Sequence, residues 1–374
     1  MRSARAAAGL ALAGALVPLL LTAAPSSAQS AGSGGSSGSG VPVSGAQFDQ
    51  VCTPTDPALG ELSGLAVVGG ATYAIGDSGT DDSVTVMDGD CATTGTLPVP
   101  VDPYDIEDMG VGPDGRLWLS DTGDNDRVRQ TVALISLDPT SGDGQLHRLT
   151  YPDGPHDAET LLVQRDGVPL VVTKDVLAAN GIYRPAGGAT LAGLASPGPT
   201  ALERVGEVRL GPTDTPGGPV PIGGSTLVTG GAVSADGTVA AVRTYTDVYL
   251  YSAPDGDLVR ALTSTTPVRV ALPNEPQGEA VAFTPDGDLL AGSEGAGGPL
   301  QPIRILRGAT ELARTDGQST GSVTLSASVH GTPDDATDGP TASSWAVPVL
   351  ALGGVAAGLA TFWSVRRRSQ PKEH

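Results

Sequence analysis

Acidic side chains recur at one position of a repeated sequence pattern, and they are the residues of this chain best suited to chemistry. Five segments align, and their first residues are Ser63, Glu107, Glu159, Thr229 and Glu279. In each segment an apolar run leads through Gly-Gly or Asp-Gly into a second apolar run, which is typical of a β-hairpin. Because the segments should occupy equivalent places in one fold, we expect the three glutamates to converge.

We predict that these converging acids hold a hard cation. Carboxylates that approach each other repel unless a positive charge lies among them, and Ca²⁺ prefers carboxylate oxygens. Two alternatives stay open: an Arg or Lys of a neighbouring repeat supplies the charge, or the acids accept hydrogen bonds from backbone amides. The candidate metal ligands are Glu107, Asp108, Glu159, Glu279 and Asp121.

A second set of polar residues follows the second apolar run of each repeat. Its members are Asp77, the loop 121–126, Lys174, Arg243 and Glu294. The loop 121–126 offers several oxygen ligands, as calcium loops do, but it lacks the full spacing and the distal Glu of a helix-loop-helix calcium site. Loops rich in Asp, Gly and Asn are also good turns, so this set alone does not predict a metal.

Three residues are candidates for catalysis: His156, Lys174 and Arg243. His156 could serve as a general acid or base, since imidazole titrates near neutral pH, although no partner for it is evident. Lys174 and Arg243 could bind an anionic group. The chain has no His-Glu-x-x-His and no phosphate-loop motif, which disfavours the chemistries that depend on them.

The spacing of the repeats predicts the fold class. A third apolar run follows each hairpin, and a polar fourth run often comes next, as at 145–150 and 257–262; no convincing amphipathic helix interrupts residues 48–330. The repeats start 44, 52, 70 and 50 residues apart, and four strands per roughly 40–50 residues are typical of a β-propeller. We therefore predict an all-β propeller with five recognisable four-stranded blades.

Closure of the ring raises two further expectations. A sixth blade would need degenerate strands around 190–226 or 310–330. Residues 48–52 are expected to close the ring by adding a strand to the last blade. Cys52 and Cys91 are expected to form a disulfide, because a pair of cysteines in an exported chain most simply does so.

The two ends of the chain predict export and membrane attachment. Basic residues, the apolar run 6–21 and small residues at 26–28 form a signal peptide. Residues 345–365 are 21 uncharged residues followed by three arginines, long enough at about 1.5 Å per residue to cross a hydrocarbon core. The predicted organisation is a signal peptide at 1–28, a flexible Gly/Ser linker at 29–46, the propeller at 47–331, a linker at 332–344, a transmembrane helix at 345–365 and a basic cytoplasmic tail at 366–374.

Four short motifs resemble a family of exported actinobacterial β-propeller proteins of unassigned function. They are 107–109, 123–125, 151–160 and 277–280. More remotely, the pattern of the first strands is similar to phytase-like and esterase-like-phytase propellers. That resemblance implies Ca²⁺ in and around the channel and, in true phytases, hydrolysis of phosphomonoesters by a site rich in Lys, Arg and Tyr. The matching basic residues here would be Lys174, Arg243, Arg127 and Arg129.

These observations predict a membrane-anchored extracellular propeller that binds an extracellular ligand or protein, with Ca²⁺ in its channel. The formal net charge of −20 argues against nucleic acid as a partner and leaves cations as ligands. One alternative is a Ca²⁺-dependent phosphoesterase acting on extracellular phosphomonoesters, with Glu107, Asp108, Glu159 and Glu279 as ligands. A further alternative is a lactonase-like hydrolase.

Overall fold

The computed structural model describes residues 40–319, except residues 44, 78, 177, 178 and 222. The predicted signal peptide, both ends of the chain that flank the propeller, and the predicted span at 345–365 lie outside the described residues. Among the residues that are described, no helix is long and apolar enough to cross a membrane.

The chain begins with two short strands that join sheets formed much later, β1 (Val41–Pro42) and β2 (Asp49–Cys52). The next strands form four-stranded antiparallel sheets in sequence order. The first sheet contains β3 (Leu62–Val68), β4 (Ala71–Gly76), β5 (Ser83–Met87) and β6 (Thr93–Pro98). The second contains β7 (Ile106–Val111), β8 (Leu117–Asp121), β9 (Val132–Leu137) and β10 (Gly144–Thr150). The third contains β11 (Ala158–Val163), β12 (Pro169–Thr173), β13 (Asn180–Pro185) and β14 (Thr200–Val208). A short parallel pairing of β10 with β14 joins the second and third sheets at their outer edges.

The last two sheets recruit the early strands. The fourth contains β15 (Val228–Val233), β16 (Val239–Thr244), β17 (Asp247–Ser252) and β18 (Val268–Ala271), and β1 pairs with β18 in parallel. The fifth contains β19 (Gln277–Phe283), β20 (Leu289–Glu294) and β21 (Ile303–Leu306). Its fourth strand is β2, which pairs antiparallel with β21. The predicted addition of residues 48–52 to the last sheet is therefore confirmed.

The first strands of the five sheets form a closed ring. Each contacts the next in order, β3 with β7, β7 with β11, β11 with β15, and β15 with β19, and β19 returns to β3. Sheets arranged around an axis with their first strands innermost give a propeller-like fold. The all-β prediction is confirmed, and the described residues contain five such sheets. The segments in which a sixth was considered form short 3-10 turns, β14 and, within 310–319, a helix.

Five buried apolar clusters hold the ring together, one between each pair of neighbouring sheets. Each sheet is buried on both faces, because alternate residues along a strand point to opposite neighbours. Leu117 and Leu119, for example, face the first sheet, whereas Trp118 faces the third. The central strands are accordingly apolar almost throughout. Burial of both faces fixes the position of every first strand around the axis.

Two helices contradict the prediction that residues 48–330 contain none. Helix α1 (Leu258–Ser264) lies where a polar fourth strand was expected, and β18 takes the strand's place. The Asp257 side chain accepts a hydrogen bond from the Arg260 amide at 2.9 Å, which caps the helix. Leu258, Ala261 and Leu262 are buried, a spacing of three and four residues that suits a helix better than a strand. Helix α2 (Ala309–Ser319) follows β21.

The predicted disulfide between Cys52 and Cys91 is present, with Cα atoms 5.7 Å apart. Cys52 ends β2 in the fifth sheet, and Cys91 lies between β5 and β6 of the first sheet. The bond therefore joins the last sheet to the first, at the place where the ring closes.

Candidate functional site

Every first strand carries a β-bulge at the same point. The pairing register shifts between Leu62 and Gly64, Ile106 and Asp108, Ala158 and Thr160, Val228 and Gly230, and Gly278 and Val281. A bulge leaves the extra residue unpaired and redirects its side chain. The extra residues are the five first positions of the sequence repeats, Ser63, Glu107, Glu159, Thr229 and Glu279, and all five are fully buried.

The second polar set predicted from the sequence lies at the same rim. In an antiparallel hairpin the end of the second strand lies beside the start of the first, and Ile106 indeed pairs with Asp121 and Ala158 with Thr173. Asp77 and Lys174 each follow directly on a second strand. The hairpin geometry thus merges two sets that the sequence presents as separate.

Five carboxylates meet at this rim, and we call them the acidic rim. One carboxylate oxygen from each of Asp77, Asp105 and Glu107 lies within 4.8 Å of the other two. The same holds for one oxygen from each of Glu107, Asp157 and Glu159. Glu107 belongs to both groups, and each of the five side chains is at most 3% exposed. Hard cations such as Ca²⁺ take this kind of all-oxygen, carboxylate-rich donor set.

Gly123 makes the close approach of two of these acids feasible. A β-carbon at this position would overlap Oε1 of Glu107 and Oδ2 of Asp105. The loop that follows β8 can therefore lie against both carboxylates only because residue 123 has no side chain.

Lys174 provides a positive charge at one end of the acidic rim. Its Nζ atom donates a hydrogen bond to Oε1 of Glu159 at 2.6 Å and lies 5.2 Å from the ring centre of Tyr245. Burial alone would lower the pKa of Lys174, but Glu159, Tyr245 and Glu279 outweigh it and hold the pKa well above its usual value. Lys174 therefore remains a cation and is committed to an internal ion pair.

Asp108 and Asp121, both predicted metal ligands, accept hydrogen bonds from the protein. Oδ1 and Oδ2 of Asp108 accept from the amides of Met109 and Leu161, each at 2.8 Å, and burial raises the pKa of Asp108 to about 8. Oδ1 of Asp121 accepts from the Asp105 amide at 3.0 Å and from Nη2 of Arg129 at 2.9 Å. Asp108 links β7 to β11, and Asp121 positions Asp105.

Glu279 lies beyond Lys174 on the fifth sheet. Its Oε1 accepts a hydrogen bond from Nε2 of Gln277 at 3.2 Å. Within the described part of the chain its Oε2 is buried and has no hydrogen-bond donor. Glu279 contributes to the raised pKa of Lys174, so its charge acts on the same ammonium as Glu159. The three glutamates of the repeats thus divide into Glu107 at the overlap of both oxygen groups and two that flank Lys174.

Arg243, a catalytic candidate, is fully buried and holds the fourth and fifth sheets together. Its guanidinium donates to the carbonyls of Thr244, Ala280 and Gly292 and to Oε2 of Glu275, at 2.9–3.2 Å. A β-carbon at Gly278 would overlap this guanidinium. Four of its donors are therefore used inside the protein.

His156 has partners that the sequence did not reveal. Its Nε2 lies 3.0 Å from Oδ1 of Asp153 and 3.1 Å from the hydroxyl of Tyr183, and that hydroxyl donates to Oδ2 of Asp153 at 2.8 Å. The ring of Tyr151 packs edge-on against the imidazole of His156. His156 directly precedes Asp157 of the acidic rim in the chain, and its imidazole is oriented by Asp153 and Tyr183.

Three members of the acidic rim, Asp77, Asp105 and Asp157, were not among the ligands predicted from the sequence. A usable signal existed in two repeats, where Asp105-Ile-Glu107 and Asp157-Ala-Glu159 repeat the same acid spacing. Residues two apart on a strand point to the same side. Asp77 gave no comparable signal, because its approach to Glu107 depends on contact between the first and second sheets.

Comparison with known proteins shows weak likeness. No family model and no curated sequence matches the chain. A streptogramin B lyase structure is 13% identical to this chain, with a TM-score of 0.34. The match covers 65% of this chain and 64% of the lyase, which is less than two thirds of the lyase. A luciferin-regenerating enzyme is 15% identical over 65% and 77%, with a TM-score of 0.37. A gluconolactonase of Xanthomonas campestris is 14% identical over 70% and 95%, with a TM-score of 0.38. Likeness at this level implies no activity for this chain, and the resemblance to phytase-like propellers stays a prediction.

Proposed function

We propose that this protein is a membrane-tethered extracellular binding module whose acidic rim holds Ca²⁺. The observation that carries the proposal is the pair of buried oxygen groups that share Glu107. Buried carboxylates whose oxygens lie within 4.8 Å of one another repel strongly. A divalent cation bound among them would offset that repulsion. Asp77, Asp105 and Glu107 would be the ligands of the cation, because in the second oxygen group Lys174 already balances Glu159.

Calcium-dependent thermal stability of the full chain in detergent tests this proposal. After removal of divalent cations with a chelator, added Ca²⁺ should raise the melting temperature; a ligand at 100 times its Kd contributes about 2.7 kcal/mol. Glu107→Gln should abolish the calcium response, because it removes the carboxylate that both oxygen groups share. Glu311→Gln removes an exposed carboxylate of α2 and should respond like the unmodified chain. A calcium response that survives Glu107→Gln would refute the site.

The location rests on the two ends of the chain alone. Residues 345–365 would anchor the protein, with 366–374 inside the cell and the acidic rim outside. Protease added to intact cells should remove the propeller and leave a short membrane-bound fragment. Full protection from protease would contradict this topology.

A hydrolase of phosphomonoesters or lactones is the second candidate, and the Asp153–His156–Tyr183 group favours it. A carboxylate that orients an imidazole is a common arrangement for general base catalysis. Against a phosphoesterase, Lys174 and Arg243 are both engaged internally. Turnover of a phosphomonoester or a γ-lactone that is lost in His156→Asn, with the calcium response retained, would establish the enzyme; no turnover of either substrate would leave the binding module.

A further inference from the structure

The end of the channel opposite the acidic rim is apolar. The residues four positions after the bulges are Val67, Val111, Val163, Val233 and Phe283. They line one cavity of about 420 Å³ to which all five first strands contribute. Four residues of strand place this ring about 13 Å from the bulge residues. The volume lies within the range of small-molecule sites, which are mostly apolar with a few polar groups.

Arg165 is the single ionisable side chain among the described residues that line this cavity. Its Nε donates to the carbonyl of Asp236 at 3.0 Å. Its side chain packs against Gly237, which lines this cavity, and its guanidinium against Gly256, which lines a neighbouring pocket. The guanidinium therefore lies where the cavity meets that second pocket. Among the ion pairs of the described residues none includes Arg165. The nearby carboxylates of Asp255 and Asp257 pair with Arg260.

We propose that this cavity, which we call the mouth of the channel, binds a small amphipathic anion. The apolar body of the anion would lie among the five apolar side chains, and its carboxylate or sulfonate head would bind Arg165. Guanidinium groups bind such heads through paired, charge-assisted hydrogen bonds. Arg165 is the one positive side chain among the described residues that line this cavity, in a chain of net charge −20. The site is separate from the acidic rim and does not depend on a metal.

Two dyes of matched shape test the proposal on the full chain. Anilinonaphthalene sulfonate carries the anionic head, and N-phenyl-1-naphthylamine lacks it. We expect one saturable site for each dye. Arg165→Gln should weaken the sulfonate dye about tenfold or more, the equivalent of about 1.4 kcal/mol, and leave the neutral dye within about twofold. Arg148→Gln, which removes an exposed Arg elsewhere, should change neither.

A blocking variant and a competitor complete the test. Val111 is 37% exposed, so Val111→Trp should fill the mouth and abolish binding of both dyes, whereas Val128→Trp, at a 62% exposed position in the loop after β8, should not. Independently of any variant, decanoate should displace the sulfonate dye and decyltrimethylammonium should not. Unsaturable binding, equal effects of Arg165→Gln on both dyes, or binding that survives Val111→Trp would overturn the proposal. Binding that appears only after removal of residues 320–374 would also overturn it and assign the mouth to that segment.

Discussion

Single residues at the acidic rim differ in role although they share a chemistry. Glu107 touches two oxygen groups, Glu159 is paired with Lys174, and Asp108 accepts backbone amides. The sequence predicted that acids converge, because equivalent repeat positions must meet around an axis. The sequence did not predict which acid takes which role, because each role depends on the hydrogen-bond donors that the carboxylate oxygens meet on neighbouring sheets.

A pH dependence follows from Asp81, which is 6% exposed. Burial, with Asp77 and Asp121 nearby, raises the pKa of Asp81 to about 7. The folded state thus keeps a proton that the unfolded state has already lost above about pH 4. The free energy of unfolding is therefore unaffected by Asp81 below about pH 4. Between about pH 4 and pH 7 it falls by about 1.4 kcal/mol per pH unit.

The expected measurement is the melting temperature without calcium between pH 5 and pH 8. It should fall over this range in the unmodified chain. Asp81→Asn, which mimics the protonated acid, should flatten the fall, whereas Asp286→Asn, in the turn between β19 and β20, should leave it intact. An unchanged slope in Asp81→Asn would mean that this carboxyl is ionised in the fold.

At the scale of elements, the repeated bulge explains how the strands position the site. Hairpins and their turns could be predicted from alternation and Asp-Gly pairs. The bulge could not, because pairing register is a property of two strands, and one shift changes which side chain faces the axis. Helix α1 was mistaken for a strand because the run 258–262 is short and also contains the apolar Val259, so its sequence alone does not show which apolar residues are buried.

The cap of α1 gives a test at this scale. Asp257→Ala removes the acceptor for the Arg260 amide and should lower the free energy of unfolding by about 1 kcal/mol. Asp257→Ser keeps an acceptor and should recover most of the loss. Urea denaturation measures both. Equal stability of all three chains would show that packing of α1 against β14 and β17, rather than its cap, holds the helix.

For the whole ring, closure uses both β2 and the disulfide. Cys52 and Cys91 are 39 residues apart, and in the chain-entropy model such a link contributes about 3–4 kcal/mol. The paired change Cys52→Ser and Cys91→Ser should lower the unfolding free energy by that order, as followed by urea denaturation under oxidising conditions. Under reducing conditions the unmodified chain should approach the variant. A variant as stable as the oxidised chain would show that β2 alone closes the ring.

The pairing of β2 with β21 also determines when the ring can close during synthesis of the chain. Asp49 is paired with Ile305, so β2 can pair only after β21 has been made, about 250 residues later. At 5–20 residues per second that delay is roughly 10–50 s. Until then the fifth sheet lacks its outer strand and the ring stays open. The complete ring can therefore form only after β21 has been made, so its last step follows synthesis of nearly the whole described part of the chain.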